Sequence, residues 1–441
     1  MFQKAIFFHL ILLLWTTSVM AQDFSSLVEK SWNNNEQLKA QHFQLQQAEA
    51  ALKEARSMYG PTISLGGQYT LAAGGRGIDF PVGDLLNPVY STLNQLTSSN
   101  AFPAVENATI SFLPNNFLDA RLRIQQPVYY PELAINRQFQ SSKIDLKALE
   151  IKAYKRLLSK EVMTAYLQWQ MAQQAVVIYE KAEALLKEAN RTTTSLFENG
   201  KALPSAVNRI QSEQASNKAQ LIDAKNQEEN AWQLLAFLLH ERGISRDQVT
   251  VGLPELPDMI TNNGSREELQ QLDVGIEMQH LAVKKEEQFY LPRVGVQIDA
   301  GSQDFDFQWK PYALLGVNVE WNIYDFKRHT HKKDQALAAV EAQKQQKSYV
   351  QNQLELQSAV AKNNLLAAID QANTFQPRIQ SSQKTYDEVM KKYRTGVANY
   401  LELIDAQTQL TIADLSYILA RYNAWIKWAE LQYVTASYPI N

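Results

Sequence analysis

The sequence predicts a mixed α and β chain that is internally duplicated, with very long coiled-coil helices and four β-strands too few to close a sheet by themselves. Three observations predict it. A heptad seam recurs at a fixed offset of 196 residues, four segments alternate apolar and polar residues, and a glycine, Gly200 or Gly396, interrupts each helical run at that same offset.

Residues 1–21, MFQKAIFFHLILLLWTTSVMA, hold a lysine, an apolar run from Ala5 to Trp15 and the small-x-small ending Val19-Met20-Ala21, the pattern of a cleaved export signal. The run is shorter than the roughly 20 residues a spanning helix needs. Beyond it the chain reads as a first repeat over 22–248, a linker over 249–264 and a second repeat over 265–441. There is no cysteine, which excludes disulfides, thiolate metal sites, a catalytic thiol and a lipid-modified N-terminal Cys. The net charge of −3 gives no footprint for nucleic acid. No second apolar run approaches spanning length, so an exported chain of this kind meets a membrane through β-strands.

Two alternating segments precede each long helix. In PTISLGGQYTL, Ile63, Leu65, Tyr69 and Leu71 share one face, with Thr62, Ser64, Gln68 and Thr70 on the other. In LDARLRIQQP, Leu118, Ala120, Leu122 and Ile124 alternate with Asp119, Arg121, Arg123 and Gln125. The second half gives Val294, Val296, Ile298 and Ala300 against Arg293, Gln297 and Asp299, then Leu315, Val317, Val319 and Trp321 against Asn318 and Glu320. One apolar and one polar face is the requirement for a membrane strand with a watery interior. A sheet packed on a soluble core gives a similar pattern.

The helices follow. Leu158, Val162, Ala165, Trp169, Ala172, Val176 and Tyr179 alternate by four and three, a heptad seam. Leu354, Ser358, Ala361, Leu365, Ala368, Ala372 and Phe375 repeat it 196 residues later, and that series continues to Tyr393. The offset survives the break: Val207 and Ile210 match Leu403 and Ala406, and Leu235 matches Leu431. The long helices are expected over 132–199 and 326–395, each roughly 100 Å at 1.5 Å per residue, and the returning ones start near Pro204 and Tyr400. Pro377 is expected to kink the second long helix, and Gln214, Asn217 and Glu228 to make part of the first returning seam wet.

Four strands leave two open edges, and an unpaired edge in lipid costs several kcal/mol for each lost hydrogen bond. A barrel must then be shared among chains. The competing reading is a periplasmic coiled-coil scaffold, without a membrane barrel, whose sheet packs on its own helices.

The duplicated plan, the phrases YGPTISL and YLPRVGV before strands, QQPVYYPE and WNIYDFKRH after them, and YRTGVANYLELIDAQTQL resemble the TolC family of outer-membrane efflux and secretion channels. The resemblance covers nearly the whole mature chain. It implies a homotrimer whose chains share one twelve-strand barrel in the cell's outer membrane, in contact with its lipid. The helices would extend the tube through the periplasm to a periplasmic adaptor protein and an inner-membrane transporter, as a passive duct for tripartite efflux or type I secretion. Gly200 and Gly396, with Tyr393, would lie at the tips where the helices turn back and the adaptor docks. Glu402 and Asp405, three apart and so on one helical face, match the acidic ring at the family's pore entrance; two solvated acids near a helix start give the same spacing. Where some members lock the closed tip with an aspartate and an arginine, this chain has Ser205, Ala206 and Ala398, so closure is expected to rest on seam packing.

Nothing suggests catalysis or a cofactor: no Ser, His and acid set has a suitable context. His329 and His331 fall on different helical faces beside Lys332 and Lys333, which reads as a solvated surface rather than a metal site. Gly74-Gly75-Arg76-Gly77 lacks the Lys-Ser/Thr of a phosphate loop and reads as a flexible outer loop. The connection over 72–116 is much longer than its counterpart in the second half and is expected to lie outside the cell.

Overall fold

The computed structural model of the protein describes residues 18–112, 115–240, 245–249, 256–257, 264–305 and 307–440. The leader expected over 1–21 lies outside these residues except for 18–21, and most of the linker expected over 249–264 also lies outside them. The chain forms two compact units, one of Met1–Glu49, Ser142–Gln279 and Ala338–Asn441, the other of Ala50–Ser141 and His280–Leu337.

The elements run α1 (Ser18–Asn34), α2 (Glu36–Ser57), β1 (Thr62–Thr70), β2 (Gly77–Phe80), α3 (Val82–Thr97), β3 (Ala108–Ser111), β4 (Phe117–Tyr129), α4 (Pro131–Glu198) and α5 (Pro204–Leu239). They continue with α6 (Glu267–Glu287), β5 (Arg293–Asp304), β6 (Pro311–Glu320), α7 (Arg328–Arg394) and α8 (Tyr400–Val434). The 196-residue offset carries the start of α5 onto that of α8 and the end of α4 onto that of α7. Local chemistry sets these boundaries. Pro131 opens α4, and Pro204 opens α5, at first-turn positions where a missing N–H costs nothing. Two left-handed residues, Phe326 and Lys327, hold off the start of α7 until Arg328. That helix then continues through Pro377.

In the helical unit the expected seams are buried over 158–169 and 361–372, while Tyr179, Leu354, Ser358 and Phe375 are half-buried. Leu158, Val162, Ala165 and Trp169 of α4 share a core with Trp232, Leu235 and Leu239 of α5 and Tyr422 of α8; the Trp169 and Trp232 ring centroids are 4.9 Å apart. Ala361, Leu365, Leu431 and Val434 form a matching cluster in the second repeat. The wet seam is corrected at one member. Asn217 is buried, and its Nδ2 donates to the Tyr179 carbonyl at 3.2 Å, so the amide replaces water. Arg156 and Glu267 are both buried and joined by hydrogen bonds of 2.8 and 2.6 Å, fastening the start of the second repeat to α4.

The other unit contains an antiparallel sheet in the order β1-β4-β5-β6, so the two repeats meet at the β4–β5 pair. Pro127 is tolerated within β4 because the register shifts there. Residues 71–76, with Gly74 and Gly75, stay without helix or strand, but the rest of the long connection has structure of its own: β2 and β3 form a second antiparallel pair, and α3 lies between them in sequence. Asparagine amides replace the missing backbone partners. Asn87 donates to and accepts from Val105 at 3.0 and 2.8 Å, and Asn94 does the same with Phe102 at 2.8 and 3.1 Å.

Candidate functional site

The sheet places like beside like. Leu65, Leu122 and Ala300 are cross-strand partners in sequence across β1, β4 and β5, and Ile63, Ile124, Ile298 and Leu315 form the next row. The polar rows alternate with them: Thr62, Gln125, Gln297 and Gly316, then Ser64, Arg123 and Asp299. Leu314, opposite Asp299, is an apolar residue on the polar side.

Exposure is the reverse of a soluble protein's. Leu65 is 83% exposed, Leu315 73% and Val317 64%, while Asp119 is 6% and Asp299 4% exposed. The buried acids are satisfied across strands. Arg123 donates through Nε and Nη2 to the two oxygens of Asp299, each at 2.8 Å, and Gln297 donates to the same carboxylate at 2.8 Å. Asp119 accepts from the Tyr312 hydroxyl at 3.1 Å and pairs with Arg121 at 3.2 Å. A bidentate guanidinium–carboxylate pair holds the strand register as well as compensating the charges. A sheet lodged against its own helices, as the scaffold reading requires, would bury the aliphatic face instead. Among the described residues no helix is long and apolar enough to cross a membrane, and the exposed apolar band lies on the strands.

The helical turns form the second part of the site. Gly200 and Gly396 have φ of +71° and +78°. At the first, the Gly200 N–H donates to the Phe197 carbonyl at 2.9 Å and the Lys201 N–H to the Leu196 carbonyl at 2.8 Å; Gly396 with Tyr393 and Val397 with Lys392 repeat this at 3.0 and 2.9 Å. Both are Schellman closures, which satisfy the last helical carbonyls through a left-handed residue. Leu203, Val397 and Leu401 stand exposed beside the turns.

Tyr393, grouped with the tip glycines on sequence grounds, lies beneath the surface. It packs with Tyr386, Met390, Leu403 and Ala406, and its hydroxyl is 2.6 Å from Thr193 Oγ1 on α4. Burial pushes its phenol upward against the opposing effect of that hydrogen bond, and burial takes Tyr386 up to about 12. Glu402 and Asp405 are both exposed on the first turns of α8. Glu402 also completes a capping box. Its N–H donates to Asn399 Oδ1 at 3.0 Å, and its Oε1 accepts from Asn399 Nδ2 at 2.7 Å and from the Asn399 N–H at 3.5 Å. The Asn-x-x-Glu spacing in the sequence was the available signal for this cap.

The solvated reading of His329 is corrected. Its ring stacks on Phe289 with centroids 4.2 Å apart, and its Nδ1 lies 2.8 Å from Asp325 Oδ1. Among the described residues no group of His, Cys, Asp and Glu could hold a metal ion.

Residues 264–437 match the family model described as outer membrane efflux protein. No curated protein matches this sequence. Several solved structures share the fold. The outer-membrane channel OprN superposes with a TM-score of 0.75 at 16% identity, covering 94% of this chain and 90% of its own. CusC gives 0.73 at 14% identity, covering 94% and 92%, and VceC of Vibrio cholerae 0.72 at 14%, covering 94% and 96%.

Proposed function

We propose, from an outer membrane efflux protein domain at residues 264–437 and the fold of outer-membrane channels around it, that three copies of this chain form an efflux duct. Each supplies four strands to one barrel. The observation that carries this reading is the inverted sheet, with aliphatic residues exposed on one face and arginine-paired carboxylates buried on the other. Two bare edges, β1 and β6, require partners in lipid, and identical chains arranged in a ring supply them.

The duct acts passively. Its substrate enters between the helical turns, and its driving force comes from an inner-membrane transporter reached through a periplasmic adaptor. The exposed Leu203, Val397 and Leu401 suit an adaptor contact because they offer apolar area beside hydrogen-bonded turns. Tyr393 contributes from below by holding α7 to α4. Glu402 and Asp405 give three chains a ring of carboxylates at the entrance, a field that draws cations.

The test is assembly and passage. Protein extracted from the outer membrane should migrate as a heat-modifiable trimer and conduct ions in a planar bilayer. A photoreactive residue at Val397 should cross-link to a periplasmic adaptor, identified by mass spectrometry. A salt-extractable monomer without conductance would overturn the reading.

A further inference from the structure

The insert between β1 and β4 bears two apolar surfaces that nothing covers among the described residues. On the hairpin, Ile78, Phe80, Ile110 and Phe112 recur at alternate positions and are exposed, while Asp79 on the opposite face accepts a hydrogen bond from Thr109 at 2.7 Å. On α3, Leu85, Val89 and Leu96 form an exposed stripe at helical spacing. An insert in water, its backbone bridged by its own asparagines, does not leave seven large apolar side chains bare without a partner.

We propose that these two surfaces are complementary halves of a contact between neighbouring copies of this chain: the hairpin face of one insert seats against the α3 stripe of the next, around the ring. This rests on the trimeric reading above. Three arguments select a second copy as the occupant. A cyclic trimer needs two different patches on each subunit, because its interface is head-to-tail, and the insert offers two on different elements. The insert also continues an interface the barrel already requires. It follows β1, the strand whose free edge must pair with a neighbour's β6, and its base is clasped beside that strand by Asn115 Oδ1 accepting from the Ala72 N–H at 3.0 Å and Asn116 Oδ1 accepting from the Tyr69 hydroxyl at 2.8 Å. Finally, the Arg76 guanidinium stands over the Phe112 ring, 5.9 Å from its centroid. A charge there is ordinary at a protein interface and costly among acyl chains.

Because the chain has no cysteine, Ile110→Cys and Leu85→Cys introduce thiols into a silent background. In outer membranes treated with a short bifunctional maleimide, the double variant should give covalent dimers and trimers, and each single variant should give far less. Heat-modifiable migration reads trimer formation separately. Ile110→Asp should lower the temperature at which the trimer dissociates while leaving its amount in the membrane unchanged. Trimers without cross-links in the double variant would overturn the insert contact and leave the shared barrel standing. Protection of both thiols from a water-soluble maleimide, without cross-links, would assign the surfaces to lipid and also overturn it. Loss of the trimer in the unmodified protein would remove both readings.

Discussion

Arg123 and Asp299, 176 positions apart in the chain, face each other across β4 and β5 through two hydrogen bonds of 2.8 Å. The next pair in the register, Ile124 and Ile298, points to the opposite face. One residue of slip would reverse both faces at once. The pair therefore fixes the junction between the two repeats and the polarity of the wall together.

A lysine on the lipid face should be costly and one on the polar face tolerated. Leu122→Lys is expected to weaken assembly by about 2–4 kcal/mol if it sits near mid-membrane, less toward either edge. Gln297→Lys should assemble normally. Trimer yield in outer-membrane fractions, compared at equal expression, reads the difference, and an equal response of both variants would contradict the polarity assigned here.

The turn glycines, Gly200 and Gly396, make a backbone prediction. A Cβ at Gly200 or Gly396 would meet nothing within 4 Å, so the penalty for Gly200→Val or Gly396→Val comes from the left-handed backbone alone, about 1–2 kcal/mol. Export should fall while the protein stays in the membrane. Asparagine, which visits this conformation more readily, should retain more export than valine. Loss of either variant from the membrane would show instead that these residues serve folding.

Much of this arrangement is legible in the sequence, because period and parity are local properties. The alternation around Leu122 and Val296 marks the strands, and the 196-residue phase of Leu158 and Leu354 marks the seams. What it leaves out depends on distant partners. Arg123 and Asp299 are both polar-face residues by parity, but their pairing needs the sheet order. Tyr393 belongs to the right turn, yet its burial depends on Thr193 of the other hairpin. The insert escapes pattern reading for a different reason: its backbone is bridged by the side chains of Asn87, Asn94 and Asn107, the last accepting through Oδ1 from the Gly83 and Asp84 N–H groups, and asparagines ordinarily mark loops.

The entrance role proposed for Glu402 and Asp405 can be separated from the cap that Glu402 completes. Glu402→Gln preserves the capping box, since glutamine also serves at that position; with Asp405→Asn it removes charge and leaves the helix start intact. In a planar bilayer the double variant should lose cation selectivity and block by a trivalent cation. The effect should shrink as salt rises, because the Debye length falls from about 10 Å at 0.1 M to about 3 Å at 1 M. An unchanged reversal potential and block at low salt would return both residues to the surface.

The Arg156–Glu267 pair predicts a pH effect on the helical unit. Burial raises the Glu267 carboxyl, but the Arg156 hydrogen bonds, a backbone hydrogen bond and the charges of Arg156 and Arg266 together outweigh it, and the group lies below its ordinary 4.5. Its contribution is therefore present above the unfolded value and is lost as pH falls through the lower folded one. Arg156→Met, which leaves a buried carboxylate without that partner, should cost about 3–5 kcal/mol. The double change with Glu267→Leu should recover much of it, read from denaturant midpoints in detergent.

The most direct test of the shared wall is a labelling scan of single cysteines in assembled trimers, at Val296, Gln297, Ile298, Val317 and Asn318. In a shared wall, thiols at 296, 298 and 317 resist a water-soluble maleimide and react with a lipid-soluble one. Those at 297 and 318 should label from the aqueous lumen. Uniform labelling, or the reverse pattern with 297 and 318 protected and the aliphatic positions open to water, would contradict it.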